Sequence, residues 1–583
     1  VASDSQYSAI DPGTKLARYQ QLLGSLKSER SSFDSQWREI GEFVVPRRTR
    51  FFASDRNRGD KRSGSIIDST GRFAARTLQS GMHAGLTSPA RPWMKLTTPD
   101  PDLALQGNVK AWLHQATQRM LTIFATSNLY NVLPTVYGDM GTFATAAMAL
   151  LDDSKDLFRA YAYPIGSYVV GQDARGLATT FMREYQLTVR QIVEQFALSS
   201  NGQIDWTTVS SRTRALWDTA AYEQAIDVCW AVMPNEDADS RSPLARHFKW
   251  KSCYWEVGTS ENKFLRESGF LEFPLMIPRW DVTAEDSYGV DCPGMIALGD
   301  IKQLQSMQKE KGKAIQKIVN PPLTGPTALM TQKTSLLPGD VTYVDTREGM
   351  SGLRSIHEIN LNLQHLVMNE QQVQGRIQRA FYEDLFLMLA QQDNAQPITA
   401  REVEERHEEK LLALGPVLER TNDELLDPLV DRCFQMMLRA GLLPESPEEL
   451  HGIELKVEYT SILAQAQKLV AVGGMDRLLS TVIPIAEQRP DVWAKLDLNA
   501  IVDGYADALG VDPRFIRSND DAQALVDAAN KQAAAAQSVD TALKGAQAAK
   551  AAAAAPLDGN TLLSRTIGNV SGAGAGGAAL AGG

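Results

Sequence analysis

The sequence predicts an α+β chain, predominantly helical, on three observations. Long runs carry apolar residues at spacings of three, four and seven; two stretches, 157–185 and 249–271, mix aromatic and β-branched residues with glycine; and a helix, excursion, helix pattern follows Pro293. With 583 residues, 43% hydrophobic and 22% charged, the chain can build several regions around a large core.

The elements follow in order. Over 15–45, Leu22, Leu26, Phe33, Trp37, Ile40 and Val44 recur at helical spacing and Pro46 closes the run. Residues 47–62 form a mobile basic loop, with Arg47, Arg48, Arg50, Arg56, Arg58, Lys61 and Arg62 set against Asp55 and Asp60. It reads either as a contact for nucleic acid or an acidic partner, or as a solvated loop. The shortness of the run and the lack of aromatics beyond Phe51 and Phe52 favour the second. Helices are expected over 66–84 and 109–129, and an alanine- and methionine-rich apolar helix over 138–151.

The 157–185 and 249–271 stretches read as antiparallel strands. A helix is expected from Pro293 to about residue 319, then an insert punctuated by proline and glycine with an alternating strand at 341–344, then a second helix from about 361 to 389. At about 1.5 Å per residue, helices of this length reach on the order of 35 to 45 Å, which suits a pillar. A third long helix opens with Thr399 and Glu402 in capping-box spacing, runs to about 440, and should bend at Gly415-Pro416, because proline removes an intrahelical hydrogen bond. Shorter helices reach about 520, and the alanine- and glycine-rich end offers no apolar face to bury.

Composition narrows the function. Cys229, Cys253, Cys292 and Cys433 form no C-x-x-C pair and the N-terminus lacks the order of a signal peptide, so a reducing cytoplasm is the expected site of folding. The longest apolar stretches fall short of the roughly 20 residues that cross a bilayer. The net charge is −11, so the chain as a whole is not built to grip phosphates by counterion release.

Catalytic motifs fail on spacing. Gly64 and Gly71-Arg72 lack the lysine and hydroxyl of a phosphate loop. His407-Glu408 matches the start of a zinc-protease helix, but Leu411 stands where the second histidine must be. Gly81-Met82-His83-Ala84-Gly85 has the glycine frame of a nucleophile elbow with histidine in place of serine, and reads as a tight helix end. No cofactor or metal is expected.

The run Ile67-Asp68-Ser69-Thr70, with Leu78-Gln79-Ser80-Gly81-Met82-His83-Ala84-Gly85-Leu86-Thr87-Ser88-Pro89-Ala90-Arg91-Pro92-Trp93, closely resembles the N-terminal signature of phage head-to-tail connecting proteins. The likeness continues through Tyr288-Gly289, Pro293-Gly294, Ala297-Leu298, Asp300-Ile301-Lys302, Leu304 and Asn320-Pro321-Pro322-Leu323. It resumes with residues 400–404, Lys410, Leu414-Gly415-Pro416-Val417-Leu418 and Arg420, so it spans about 15–470 in order. One departure is Tyr288-Gly289-Val290-Asp291-Cys292-Pro293, a residue longer than the family's pattern.

The resemblance implies the portal architecture: wing 1–285, first stem helix 286–319, clip 320–358, second stem helix 359–390, channel loop 391–398, long kinked wing helix 399–441, crown 442–520, and a tail 521–583 that is a barrel helix or disordered. It further implies a homo-dodecameric ring at one vertex of a short-tailed phage virion, assembled in the host cytoplasm, through which double-stranded DNA is packaged and ejected. The implied partners are the major capsid protein, the scaffold, the terminase large subunit and a tail adaptor, with no membrane. Pro321, Pro322, Pro338 and Tyr343 would belong to the docking clip, and Gln391, Gln392, Asp393 and Asn394 to the loop that narrows the channel.

Residue spacing adds detail. Lys309, Lys313 and Lys317 fall at i, i+4 and i+8 on one helix face, which suits either transient phosphate contact or pairing with carboxylates, Glu310 being the local partner. Gln364, Gln371, Gln372, Gln374 and Gln378 suggest a neutral wall past which DNA slides. Val373, Ile377, Phe381, Leu385 and Leu389 form an apolar stripe for stem packing. A packaging ATPase or nuclease would need the motifs that are missing, and a tail adaptor or scaffold protein would lack the paired long helices.

Overall fold

The computed structural model describes residues 12–391 and 414–460, except 56–58, 101–102, 105, 200, 260, 284, 321–322, 325–353, 356–362, 451 and 453–454. It also describes 479, 481–482, 484, 489, 501–502, 522, 525–529, 531–532, 543–547 and 550. Two compact units divide the chain, one holding 1–492 with 508–510 and the other 493–507 with 511–583. The described residues of the second unit are helical. The expected 341–344 strand, the opening of the third long helix at Thr399, His407-Glu408 and most of 461–583 lie outside the described residues.

In the first unit the chain runs α1 (Pro12–Phe43), α2 (Thr70–Leu86), β1 (Met94–Thr97), α3 (Gly107–Thr126), α4 (Leu129–Phe143), β2 (Ala147–Asp153), β3 (Leu157–Tyr163), β4 (Tyr168–Gln172) and β5 (Ala178–Thr188). It continues through α5 (Val189–Ile192), α6 (Ser211–Asp218), β6 (Ala225–Pro234), β7 (Trp250–Glu256), β8 (Arg266–Phe270), β9 (Leu275–Met276) and α7 (Pro293–Val319). Then come β10 (Leu323–Thr324), β11 (Arg354–Ser355), α8 (Leu363–Ala380), α9 (Glu383–Gln391), a helix α10 over 414–421, a π turn (Asn422–Leu426), α11 (Asp427–Arg439) and β12 (Lys456–Tyr459). Helix and sheet therefore share the chain, as an α+β fold requires.

An antiparallel sheet of order β4-β5-β6-β7-β8 carries the second expected aromatic stretch and most of the first, whose opening strand β3 lies in a separate sheet of order β3-β2-β9. Its central strand β6 has no counterpart among the sequence expectations. The run Ala-Ile-Asp-Val-Cys-Trp-Ala-Val-Met lacks strict alternation because the strand is covered on both faces. On one side Val169, Met182, Cys229, Ala231, Cys253 and Trp255 pack with Leu16, Leu23 and Leu26 of α1. The far end of α1 enters the main core, where Trp37 Nε1 donates to the Phe143 carbonyl at 3.1 Å.

The apolar helix expected over 138–151 is corrected. Helix α4 stops at Phe143, Ala144 turns left-handed at φ 64°, and 147–153 becomes β2, paired with β3 and β9. Alanine and methionine are good helix formers, but propensity differences amount to only tenths of a kcal/mol per residue, and the pairing Ala147↔Tyr163 through Asp153↔Leu157 outweighs them.

The second long helix, expected unbroken over 361–389, is divided. Tyr382 sits at φ 56°, a conformation costly for a bulky residue, and separates α8 from α9. The break lets Phe381 and Phe386 both reach the core, at 0% and 4% exposure. In the third helix, residues 414–421 are helical through Gly415 and Pro416, and the segment before the expected bend lies outside the described residues. The irregularity that is described is the π turn at Asn422–Leu426, followed by Pro428, which has no N–H to give.

The basic loop is also corrected in part. Arg48 makes a two-pronged ion pair with buried Asp139, Arg62 pairs with Asp55, and the Arg38 guanidinium lies 4.5 Å over the Phe51 ring. Burial pushes the Asp139 carboxyl up while Arg48 draws it back. Arg48 is therefore a tie into the core, unavailable to a phosphate.

Candidate functional site

Helices α7 and α8 form an antiparallel pair: Asp300 bonds Arg376 at 2.8 Å, and further along Lys311 bonds Glu370 at 2.7 Å. Pro293 at the first helical position starts α7 despite the extra residue before it, since its missing N–H has no partner to lose there. The first half of α7 is buried through Ala297, Leu298, Ile301, Leu304 and Gln305; from Ser306 onward every residue is exposed or half-buried. About 14 residues at 1.5 Å each project roughly 20 Å from the core. Strand β10 leaves the tip of α7 and pairs antiparallel with β11, so the excursion between the helices closes at its base.

The start of α2 holds this pair. The side-chain oxygen of Gln305 accepts from the backbone of Ile67 and Asp68 at 2.6 and 2.8 Å, and its amide donates to the Asp68 carbonyl at 2.9 Å. The Asp68 carboxylate caps Thr70 N at 2.8 Å and accepts from Gln374 of α8 at 3.3 Å. Gln374 is thus a structural tie and does not belong to a free neutral wall. Asp68 was visible in the sequence only as part of the run Ile67-Asp68-Ser69-Thr70, and Gln305 was not singled out. The available signal was Gln305 standing four residues after Ile301 and next to Leu304 on the buried face of the helix, where a polar side chain needs a partner.

Two glycines permit close approach. A Cβ on Gly81 would lie 2.2 Å from the Phe386 ring, and one on Gly294 would lie 2.2 Å from the Thr142 carbonyl. Gly81-Met82-His83 therefore serves the packing of α9 on α2, near the C-terminal end of that helix. Gly81→Val is expected to destabilise the fold by about 1–3 kcal/mol through overpacking, read as a lower midpoint in chemical denaturation.

Lys309, Lys313 and Lys317 are exposed along the projecting half of α7. Lys313 bonds Glu310 at 2.7 Å, and the three lysines hold the Glu310 carboxyl below its ordinary range, with Lys313 the main cause. Three lysines against Glu310 leave the column a net positive charge, and an exposed pair of this kind contributes little to stability. Val373, Ile377, Phe381 and Leu385 are each 0% exposed, seated toward α7 and α2. Gln391 ends α9, and Gln392, Asp393, Asn394, Pro321, Pro322, Pro338 and Tyr343 lie outside the described residues.

The four cysteines are buried and free, and burial pushes the Cys253 and Cys292 thiols up to about 12. Among the described residues no group of His, Cys, Asp or Glu could hold a metal, and no helix is long and apolar enough to cross a membrane.

The sequence is similar to those of known proteins. The portal protein of Salmonella phage epsilon15 is 42% identical over 537 residues, covering 92% of this chain and 95% of that protein. A probable portal protein of Bordetella phage BPP-1 is 44% identical over 493 residues, covering 85% of this chain and 87% of that one. A family model, Bacteriophage head to tail connecting protein, matches residues 16–516, including the helical pair, its closed excursion and the α2 anchor. The chain belongs to the bacteriophage head to tail connecting protein family.

Proposed function

We propose that this chain is the portal subunit of a short-tailed phage: a non-enzymatic structural protein that forms a ring, dodecameric by the family's pattern, and conducts double-stranded DNA into and out of the head. The observation that carries the reading is the helical pair, half seated in the core and half projecting, with an excursion closed at its base by β10 and β11. In this reading α7 and α8 are the stem, 320–358 the clip, 391–398 the channel loop and 442–520 the crown. Residues up to 285 and the helix around 399–441 form the wing. The clip would dock the terminase large subunit and then the tail adaptor, the wing would meet capsid and scaffold, and the subunit would reside at the head-to-tail vertex after assembly in the host cytoplasm.

Electron microscopy of the purified protein with native mass determination tests this. A closed ring with a hole wide enough for duplex DNA is the expected result; persistent monomers or open fibres would point to an adaptor or scaffold protein.

Ring symmetry would turn each lysine of the column into a basic collar. Replacing Lys309, Lys313 and Lys317 together with glutamine is expected to flatten the salt dependence of DNA retention by the ring, by about 0.9 in log–log slope for each phosphate that the ring no longer neutralises. An unchanged slope and unchanged packaging would return the column to solvation or pairing between subunits.

A further inference from the structure

The five-stranded sheet packs one face on α1. Across its other face the register sets Tyr168, Arg183, Trp230, Tyr254 and Arg266 opposite one another on β4 to β8. Directly opposed residues share a face, so this row is an aromatic ladder with arginines in it; Tyr168 and Trp230 are buried in the main core, whereas Arg183 and Tyr254 are half-buried and Arg266 is exposed. Trp230 and Tyr254 stack at 5.9 Å, and the Arg183 guanidinium lies 4.3 Å over Tyr163 of β3 and 4.9 Å over Tyr185. On the same side of β3 as Tyr163, Arg159 is exposed and Tyr161 is 41% exposed. Arg50 reaches this region through its backbone N–H, which donates to the Ile165 carbonyl at 2.9 Å.

The charges here do not balance. Among the described residues no carboxylate pairs with Arg50, Arg159 or Arg183, and the Nε atoms of Arg50 and Arg183 are buried without an acceptor. Glu184 and Asp227 project from the opposite face, and Glu256 is committed to Ser210 and Thr213. Burial depresses the Arg183 guanidinium and Arg50 adds to that repulsion. Arg50 and Arg183, partly desolvated among tyrosines and lacking a carboxylate partner, with Arg159 exposed farther along β3, have the composition of an interface patch whose partner brings carboxylates.

The same chain carries the complement. Glu445, Glu448 and Glu449 are exposed and form no ion pair among the described residues. Their loop is held in place: Trp112 Nε1 donates to the Pro444 carbonyl at 3.1 Å, and Arg119 donates to the Leu442 carbonyl at 2.6 Å. We propose that the face bearing Arg50, Arg159 and Arg183 receives the acidic 445–449 loop of a neighbouring copy of this chain. Two different patches of one chain meeting head to tail make a heterologous contact, the type that closes into rings. The inference rests on the ring reading above and names one of its contacts.

Charge reversal tests it on the full chain, by native mass and sedimentation at fixed concentration, with circular dichroism to check folding. R159E/R183E and E448R/E449R are each expected to lower the ring fraction about tenfold, because like charges then face each other. Mixing the two variants should restore rings in which they alternate, since each contact then pairs opposite charges in an even-numbered ring, and all four substitutions in one chain restore opposite charge at every contact and should also restore rings. If R183E disturbs folding, Arg159→Glu with Glu448→Arg decides alone, since both positions are exposed. Unchanged ring yield in folded single-patch variants would overturn the contact while leaving the ring reading intact, as would failure of the combined variant to recover. A monomeric parent protein would overturn both.

Discussion

Replacing Glu424 with alanine is expected to destabilise the chain by about 3–5 kcal/mol, the usual result of leaving one member of a buried ion pair alone. Its carboxylate accepts from the Arg279 guanidinium at 2.5 and 3.1 Å and from the Arg279 backbone N–H at 2.8 Å, with side-chain exposures of 6% for Arg279 and 12% for Glu424. Without it, Arg279 keeps the carbonyls of Gly176 at 2.9 Å and Asp286 at 3.3 Å, which supply no counter-charge. The π turn places Glu424 there: the wider turn and Pro428 behind it set the direction of the side chain. Urea denaturation checks the size of the effect. Changing Arg279 and Glu424 together to alanine should cost less than the sum of the single changes, because no stranded charge remains. Strict additivity would mean that the two groups do not act as a pair.

Phe381→Ala is expected to cost about 3–5 kcal/mol, the sum of the forfeited transfer energy and the cavity left behind. The ring is fully buried at the point where α8 gives way to α9, and the left-handed Tyr382 beside it prevents the two helices from collapsing along a straight axis. Phe381→Leu, which keeps most of the volume, should recover much of the stability. Equal destabilisation by both changes would show that ring shape matters more than volume. The same denaturation series should leave a surface change such as Lys309→Gln within about half a kcal/mol of the parent.

Much of the fold was legible in the residues. Apolar spacing marked α1, the extent of α7 and the existence of a second helix after the excursion, because helix faces that enter a core must repeat at 3.6 residues whatever they pack against. Aromatic and β-branched runs marked β3 to β5 and β7 to β8. The signature around residues 67–93 pointed to the family, and its glycine at 81 was visible as a constraint before its partner was.

What the sequence could not disclose is whatever depends on residues far along the chain. Ala147–Asp153 is a strand because pairing with β3 and β9 seats its apolar residues in the main core, a contact that depends on residues farther along the chain. Tyr382 is strained because Phe381 and Phe386 are both drawn into one core. Arg48 left the basic loop for Asp139, 91 residues away, and Asp68 became the fastening of α7 and α8 through Gln305 and Gln374. Local periodicity reports how a segment can bury its own side chains and so determines the kinds of element. Charge pairing, close approach and strand partnership are settled between segments, and only the tertiary structure brings those segments together.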